Sequence, residues 1–239
     1  MNRHCLFFAI AVSATAALAH TNAGDIAYRA VLYVPGWHRC GRGEDEAFRA
    51  VQAVYTNAEV SVRSWNGNCQ WKKARINADA EAVRLAAELK AMPETERSCL
   101  TIVGHSLGAR IVIRALARLN EDGVKVKQAV VLAAAIPCDD SRLEAFAAAS
   151  AEPALIVCNP NDTMLKYGYR PFGGEGAKAL GAVGPSRKID NCVVHTVSPE
   201  TIQSMPLDAL WARVGWFRTI AAHYAPFYIR QIGIKEERR

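Results

Sequence analysis

Leu100-Thr101-Ile102-Val103-Gly104-His105-Ser106-Leu107-Gly108-Ala109-Arg110 is the stretch whose reading decides the fold. An apolar, strand-like run over 100–103 leads straight into Gly-His-Ser-Leu-Gly. This is the Gly-x-Ser-x-Gly spacing of a serine held on a sharp strand-to-helix turn. So tight a turn pushes the serine backbone toward a sparsely populated conformation. Bulky side chains two positions to either side would strike it or the neighbouring strand, so glycine is wanted at 104 and 108. Ser106 Oγ is then presented at the carboxyl edge of a sheet. The Leu107 N–H, at a helix start, is placed to donate to an oxyanion.

Five residues alone recur by chance, and the flanks supply the discrimination. Leu107, Ile111, Val112, Ala115, Leu116 and Leu119 follow at helical spacing, and Asp122-Gly123 supplies a stop. Strand, turn and helix stand in the required order.

Working outward, apolar strand-like runs alternate with helical patterns. Strands are expected at Ala30–Val34, Val60–Ser64, Gln128–Ala134, Ala154–Cys158 and Cys192–Val197. Helices are expected at Glu44–Tyr55, Ala78–Met92, Arg142–Ala149 and Leu207–Ala222. Val-, Ile- and Leu-rich strands separated by helices indicate an α/β fold: a mostly parallel central sheet with helices on both faces. Right-handed crossovers place the loops after each strand on one edge, where α/β sites gather. Asn159–Asn191 reads as one long loop with glycines at 168, 173, 174, 176, 181 and 184, and with Tyr167, Tyr169 and Phe172. Loops of this length are often binding loops or lids. No large separate cap domain is expected.

With 239 residues, 51% apolar and 22% charged, the chain suits one α/β domain with a sizeable core. Disordered, collagen-like and repeat architectures are excluded by composition and by the lack of internal periodicity. Arg3 and His4 precede the apolar Cys5–Leu18, which ends in Ala17-Leu18-Ala19. This reads as an export signal over 1–19, with the domain spanning 20–239. The apolar stretch is short for a membrane span, so no integral membrane segment is expected in the mature chain. A periplasmic or secreted location follows.

Seven cysteines less Cys5 leaves Cys40, Cys69, Cys99, Cys138, Cys158 and Cys192. An even number in an exported chain is compatible with disulfides, and Cys40 with Cys69 is the favoured pair because both lie in polar, glycine-containing loops after strands. Neither Cys-x-x-Cys nor clustered Cys/His spacing occurs, so no metal site is expected. The net charge of +6 comes from scattered basic residues, which suits a solvated surface better than nucleic-acid binding.

A serine hydroxyl needs a base, and the base an orienting acid. In a fold with this turn the chain order is Ser, then Asp or Glu, then His. Asp162, in Asn159-Pro160-Asn161-Asp162-Thr163, follows the strand at 154–158 and is the first choice of acid. Asp139 and Asp140, after the preceding strand, are rivals, and Asp162 has a competing use as a turn-stabilising residue. His223 is preferred as base over His195, because His195 lies inside the last strand and points at a sheet face. His38 precedes the serine, and His105 is locked in the turn, facing away from the hydroxyl. Val34-Pro35-Gly36-Trp37 is the expected second side of the oxyanion site, with the Trp37 N–H as donor; its ring has an alternative use as a core cap.

These features resemble the α/β-hydrolases, and the resemblance covers nearly all of the sequence after the leader. Gly-His-Ser-Leu-Gly-Ala-Arg, Asn161-Asp162 with Leu165, Tyr169-Arg170 and His223-Tyr224 carry it. It implies a triad of Ser106, Asp162 and His223, with Leu107 and Trp37 at the oxyanion. It further implies an exported serine hydrolase acting on a small-molecule or lipid-like ester without any cofactor. Thioesterase or amidase chemistry at the same centre, or a non-catalytic envelope binding domain, share the pattern. Where many relatives have His-Gly in the oxyanion loop, this chain has Pro35-Gly36.

Overall fold

The computed structural model describes residues 29–37, 46–169, 178–197 and 223–236. The leader expected at 1–19, His38, Cys40, Arg170, Phe172 and the helix expected at Leu207–Ala222 lie outside the described residues.

Strands β1 (Ala30–Val34), β2 (Glu59–Val62), β3 (Leu100–His105), β4 (Gln128–Leu132), β5 (Ala154–Cys158) and β6 (Cys192–Thr196) form one sheet in the order β2-β1-β3-β4-β5-β6. Every pairing is parallel. The central β3 is buried along its whole length, as its unbroken apolar run requires. This is the α/β-hydrolase fold that the strand–turn–helix pattern implied.

Helices α1 (Glu46–Val54), α2 (Trp71–Ala91), α3 (Glu94–Arg97), α4 (Leu107–Glu121), α5 (Leu143–Ala148), α6 (Leu180–Val183) and α7 (Ala225–Glu236) complete the described elements. α4 packs against α2 and α5, while α7 packs on α1. Chain direction across the sheet reverses beside β1, so right-handed crossovers send α1 to one face and α2, α4 and α5 to the other. The carboxyl ends of β1 and β3 therefore flank the point where α/β sheets open a crevice.

Most expected boundaries lie within two residues of those observed. α2 is the exception, beginning at Trp71 rather than Ala78. Its buried stripe starts with Ala74 and Ala78, small residues that contribute weak apolar signal among Lys72, Lys73 and Arg75. α2 and α4 are also tied by charge. Arg110, 1% exposed, makes a two-pronged pair with Asp79 at 2.8 and 3.1 Å, and Arg114 reaches the same carboxylate at 2.9 Å.

The Asn159–Asn191 segment is not the open loop that its length suggests. Residues 164–168 form a π-helical turn, and Ala179, Leu180 and Ala182 are buried in the core. Leu180 N–H donates to Ile136 O at 2.7 Å and Gly181 N–H to Ala134 O at 3.0 Å. A Cβ on Gly181 would stand 2.3 Å from Ala133 backbone, so glycine is needed for this docking. Among the described residues no helix is long and apolar enough to cross a membrane.

Candidate active site

Ser106 sits at φ 57°, ψ −116°, in the positive-φ region that side chains other than glycine rarely occupy. Such a conformation costs of order 1–3 kcal/mol and persists only when the surroundings over-determine it. Here they do. Ser106 N–H donates to Leu132 O at 2.9 Å, and Ser106 O accepts from Ala135 N–H at 3.2 Å and Arg110 N–H at 3.3 Å. β4 and α4 thus grip the turn from both sides. Gly108 lets α4 start directly beneath β1, since a Cβ there would lie 2.0 Å from Val34 O.

The base and acid come from far along the chain. His223 Nε2 lies 3.1 Å from Ser106 Oγ, and its Nδ1 lies 2.6 Å from Asp162 Oδ2. The Asp162 carboxylate is fully buried, while 17% of the His223 side chain is exposed. Asp162 serves its own turn as well: Oδ1 accepts Leu165 N–H at 3.0 Å, leaving Oδ2 for the histidine. The structure thus brings Ser106, Asp162 and His223 into one hydrogen-bonded chain. Asp140 is engaged elsewhere, holding Arg142 N–H at 2.9 Å and the Arg142 guanidinium at 3.2 Å. His195 lies inside β6, paired in register with Val157.

Leu107 follows the serine, and the loop that carries Trp37 approaches it through Gly36. Leu107 opens α4, whose first N–H groups have no acceptor four residues back within the helix. Trp37 follows Gly36, where an added Cβ would stand 2.9 Å from Ser106 Cβ. Two indoles staple this loop: Trp65 Nε1–H donates to Pro35 O at 2.8 Å and Trp37 Nε1–H to Cys69 O at 2.7 Å. The Trp37 ring packs edge-on against Trp71 at 5.2 Å. Its side chain is therefore structural, and it is the preceding Gly36 that borders the nucleophile.

Two residues of the site, Tyr228 and Asn159, were given no role in the sequence reading, and a third, His105, was read only as locked in the turn. His105 does not stand apart from the site: its buried ring lies 5.1 Å from the His223 ring and 6.0 Å from that of Tyr228. Tyr228 Oη–H donates to Asp162 Oδ2 at 2.6 Å. Asn159, fully buried, bonds both the Asn161 N–H and the phenol of Tyr228. Burial, and secondarily the Asp162 charge, push the Tyr228 phenol well above its ordinary range, so it stays a proton donor. The available signal was a tyrosine in an apolar stretch close behind the candidate base, since buried tyrosines need a polar partner.

Of the expected Cys40–Cys69 pair, Cys40 lies outside the described residues. Cys69, Cys99, Cys138, Cys158 and Cys192 are all free thiols. Among the described residues, no group of three or more His, Cys, Asp or Glu side chains is placed to hold a metal ion.

Several solved structures have a similar overall course. A metagenomic carboxyl esterase, MGS0156, shares 14% identity over 90% of this chain and 77% of its own, with a TM-score of 0.47. The Francisella virulence factor BioJ shares 12% over 90% and 79%, with a TM-score of 0.44. YbtT, a type II thioesterase from the yersiniabactin biosynthetic pathway, shares 16% over 87% and 97%, with a TM-score of 0.42. No curated protein matches the sequence. Residues 53–215, well over half of the chain, match one family along their length. The chain belongs to that family, described as a protein of unknown function (DUF726).

Proposed function

We propose that this protein is an exported serine hydrolase that cleaves a carboxylic ester through a Ser106–His223–Asp162 triad. The observation that carries the reading is the continuous chain from Ser106 Oγ to His223 Nε2 at 3.1 Å and from His223 Nδ1 to Asp162 Oδ2 at 2.6 Å. In this reading Ser106 Oγ attacks the acyl carbon while its proton passes to His223 Nε2. Asp162 holds the ring in the tautomer that leaves Nε2 free to accept, and stabilises the imidazolium that forms. The N–H groups of Leu107 and Trp37 receive the negative charge that develops on the carbonyl oxygen. His223 then returns its proton to the departing alcohol oxygen. A water molecule, deprotonated by the same histidine, releases the acid from the acyl-enzyme and restores Ser106. The site chemistry uses side chains and backbone amides alone. The leader at 1–19 supports a periplasmic or secreted location.

The test is covalent labelling by a fluorophosphonate, with the modified residue mapped by mass spectrometry. Modification at Ser106, abolished in Ser106→Ala, is the expected result. A properly folded protein that resists labelling would be a binding domain on this fold instead. Matched ester, thioester and amide substrates of increasing acyl length then separate the reaction classes. Faster turnover of the thioester or amide would overturn the ester assignment while keeping the triad.

A further inference from the structure

Tyr228 stands behind the acid of the proposed triad and takes no part in the steps given above. It lies in the first turn of α7, fully buried, and its hydroxyl donates to Asp162 Oδ2 at 2.6 Å. The same oxygen receives His223 Nδ1 at 2.6 Å. The carboxylate therefore has two donors on Oδ2 and the Leu165 N–H on Oδ1. Filling space is a poor explanation for this tyrosine. Burying a hydroxyl is costly unless it is bonded, and phenylalanine, as at the adjacent Phe227, would fill the volume without that cost.

We propose that Tyr228 is a positioning residue that fixes Asp162 Oδ2 against the imidazole and draws off part of its negative charge. The inference rests on the triad reading. A carboxylate that shares its charge with a phenol supports the imidazolium less strongly than one facing the ring alone. Loss of the phenol would therefore tighten the hold of Asp162 on the protonated ring. Asn159, bonded to the phenol, holds it in register. Among the described residues, the other titratable groups facing this cluster are His105 from β3 and Cys158 from the end of β5.

The test uses the full chain with Tyr228→Phe and, separately, with 3-fluorotyrosine at 228. The second keeps the volume but donates more strongly. In Tyr228→Phe the acid limb of kcat/KM moves up by roughly half to one pH unit. The value of kcat falls about tenfold, with KM within about twofold, as befits a group that does not touch substrate. The 3-fluorotyrosine protein moves the limb the other way and serves if Tyr228→Phe does not fold. The Nδ1–H proton resonance of His223, read by NMR without substrate, moves downfield in Tyr228→Phe and upfield with 3-fluorotyrosine. A folded protein in which neither change moves the limb or the resonance overturns the proposal, even if its melting temperature drops. Failure of the triad reading looks different: the wild-type protein then resists fluorophosphonate, while the resonance still reports the coupling between Tyr228 and His223.

Discussion

Gly36 and Ser106 meet so closely that a Cβ on Gly36 would stand 2.9 Å from the Cβ of Ser106. The carbonyl of His105 waits at 3.1 Å from the same point, and backbone cannot swing aside as a side chain tip can. The two halves of the proposed oxyanion site are thus in contact through a residue that has no side chain.

Gly36→Ala is expected to push the 35–37 loop and the nucleophile apart. Oxyanion donors work only within a few tenths of an ångström, and losing one costs roughly 100-fold or more. The variant is expected to fold, with fluorophosphonate acylation of Ser106 slowed by at least tenfold, measured under pseudo-first-order conditions. Wild-type acylation rates would show that the loop has slack.

Ser106→Gly and Ser106→Ala should separate strain from chemistry. Both remove the nucleophile and should cost on the order of six decades in turnover. Only glycine tolerates φ 57° at no steric cost. Ser106→Gly is therefore expected to unfold at higher denaturant than Ser106→Ala, by about 1 kcal/mol. Equal midpoints in urea titrations would mean the turn is not strained.

The Arg110–Asp79 pair should be asymmetric. Removing Asp79 leaves the buried Arg110 charge without its carboxylate, and breaking a buried pair in this way costs about 3 kcal/mol. Arg110→Met instead leaves a half-exposed Asp79 that still has Arg114 at 2.9 Å. Chemical denaturation should rank Asp79→Ala well below Arg110→Met, and the reverse order would refute the assignment of the buried partner.

Cys192 predicts an alkaline weakness. Burial, with a smaller contribution from Glu144, raises its thiol from 9.0 to about 11. A group raised in the folded state contributes stability that is complete below its unfolded value and lost as pH climbs through the folded one. Melting temperature is therefore expected to decline between about pH 9 and 11, and less steeply in Cys192→Ala. Identical slopes would exclude this thiol as a source.

The sheet and the nucleophile turn were legible because their signals are local. Strand, glycines and helix are adjacent over 100–121, so periodicity and steric demand act on neighbouring residues. The Asp162–Tyr228 contact spans 66 positions, and nothing near either residue announces the other. The outer part of the Asn159–Asn191 segment misled for a different reason. Gly181 reads as loop chemistry in one dimension, whereas in the fold it is glycine because the Ala133 backbone passes 2.3 Å from where a Cβ would be. The packing of the His105 ring against His223 was not legible, because the two residues lie far apart in the chain.

The docking of α7 on α1 has a consequence for the molecule's reactivity. The backbone contacts that hold the strained serine come from residues 100–135, whereas its proposed proton acceptor and the phenol behind the acid lie together on 223–228. Without a docked α7, the serine would lack the base that the proposed mechanism assigns to it. In the proposed mechanism the capacity to acylate therefore depends on the docked state of α7 as much as on the strained turn itself.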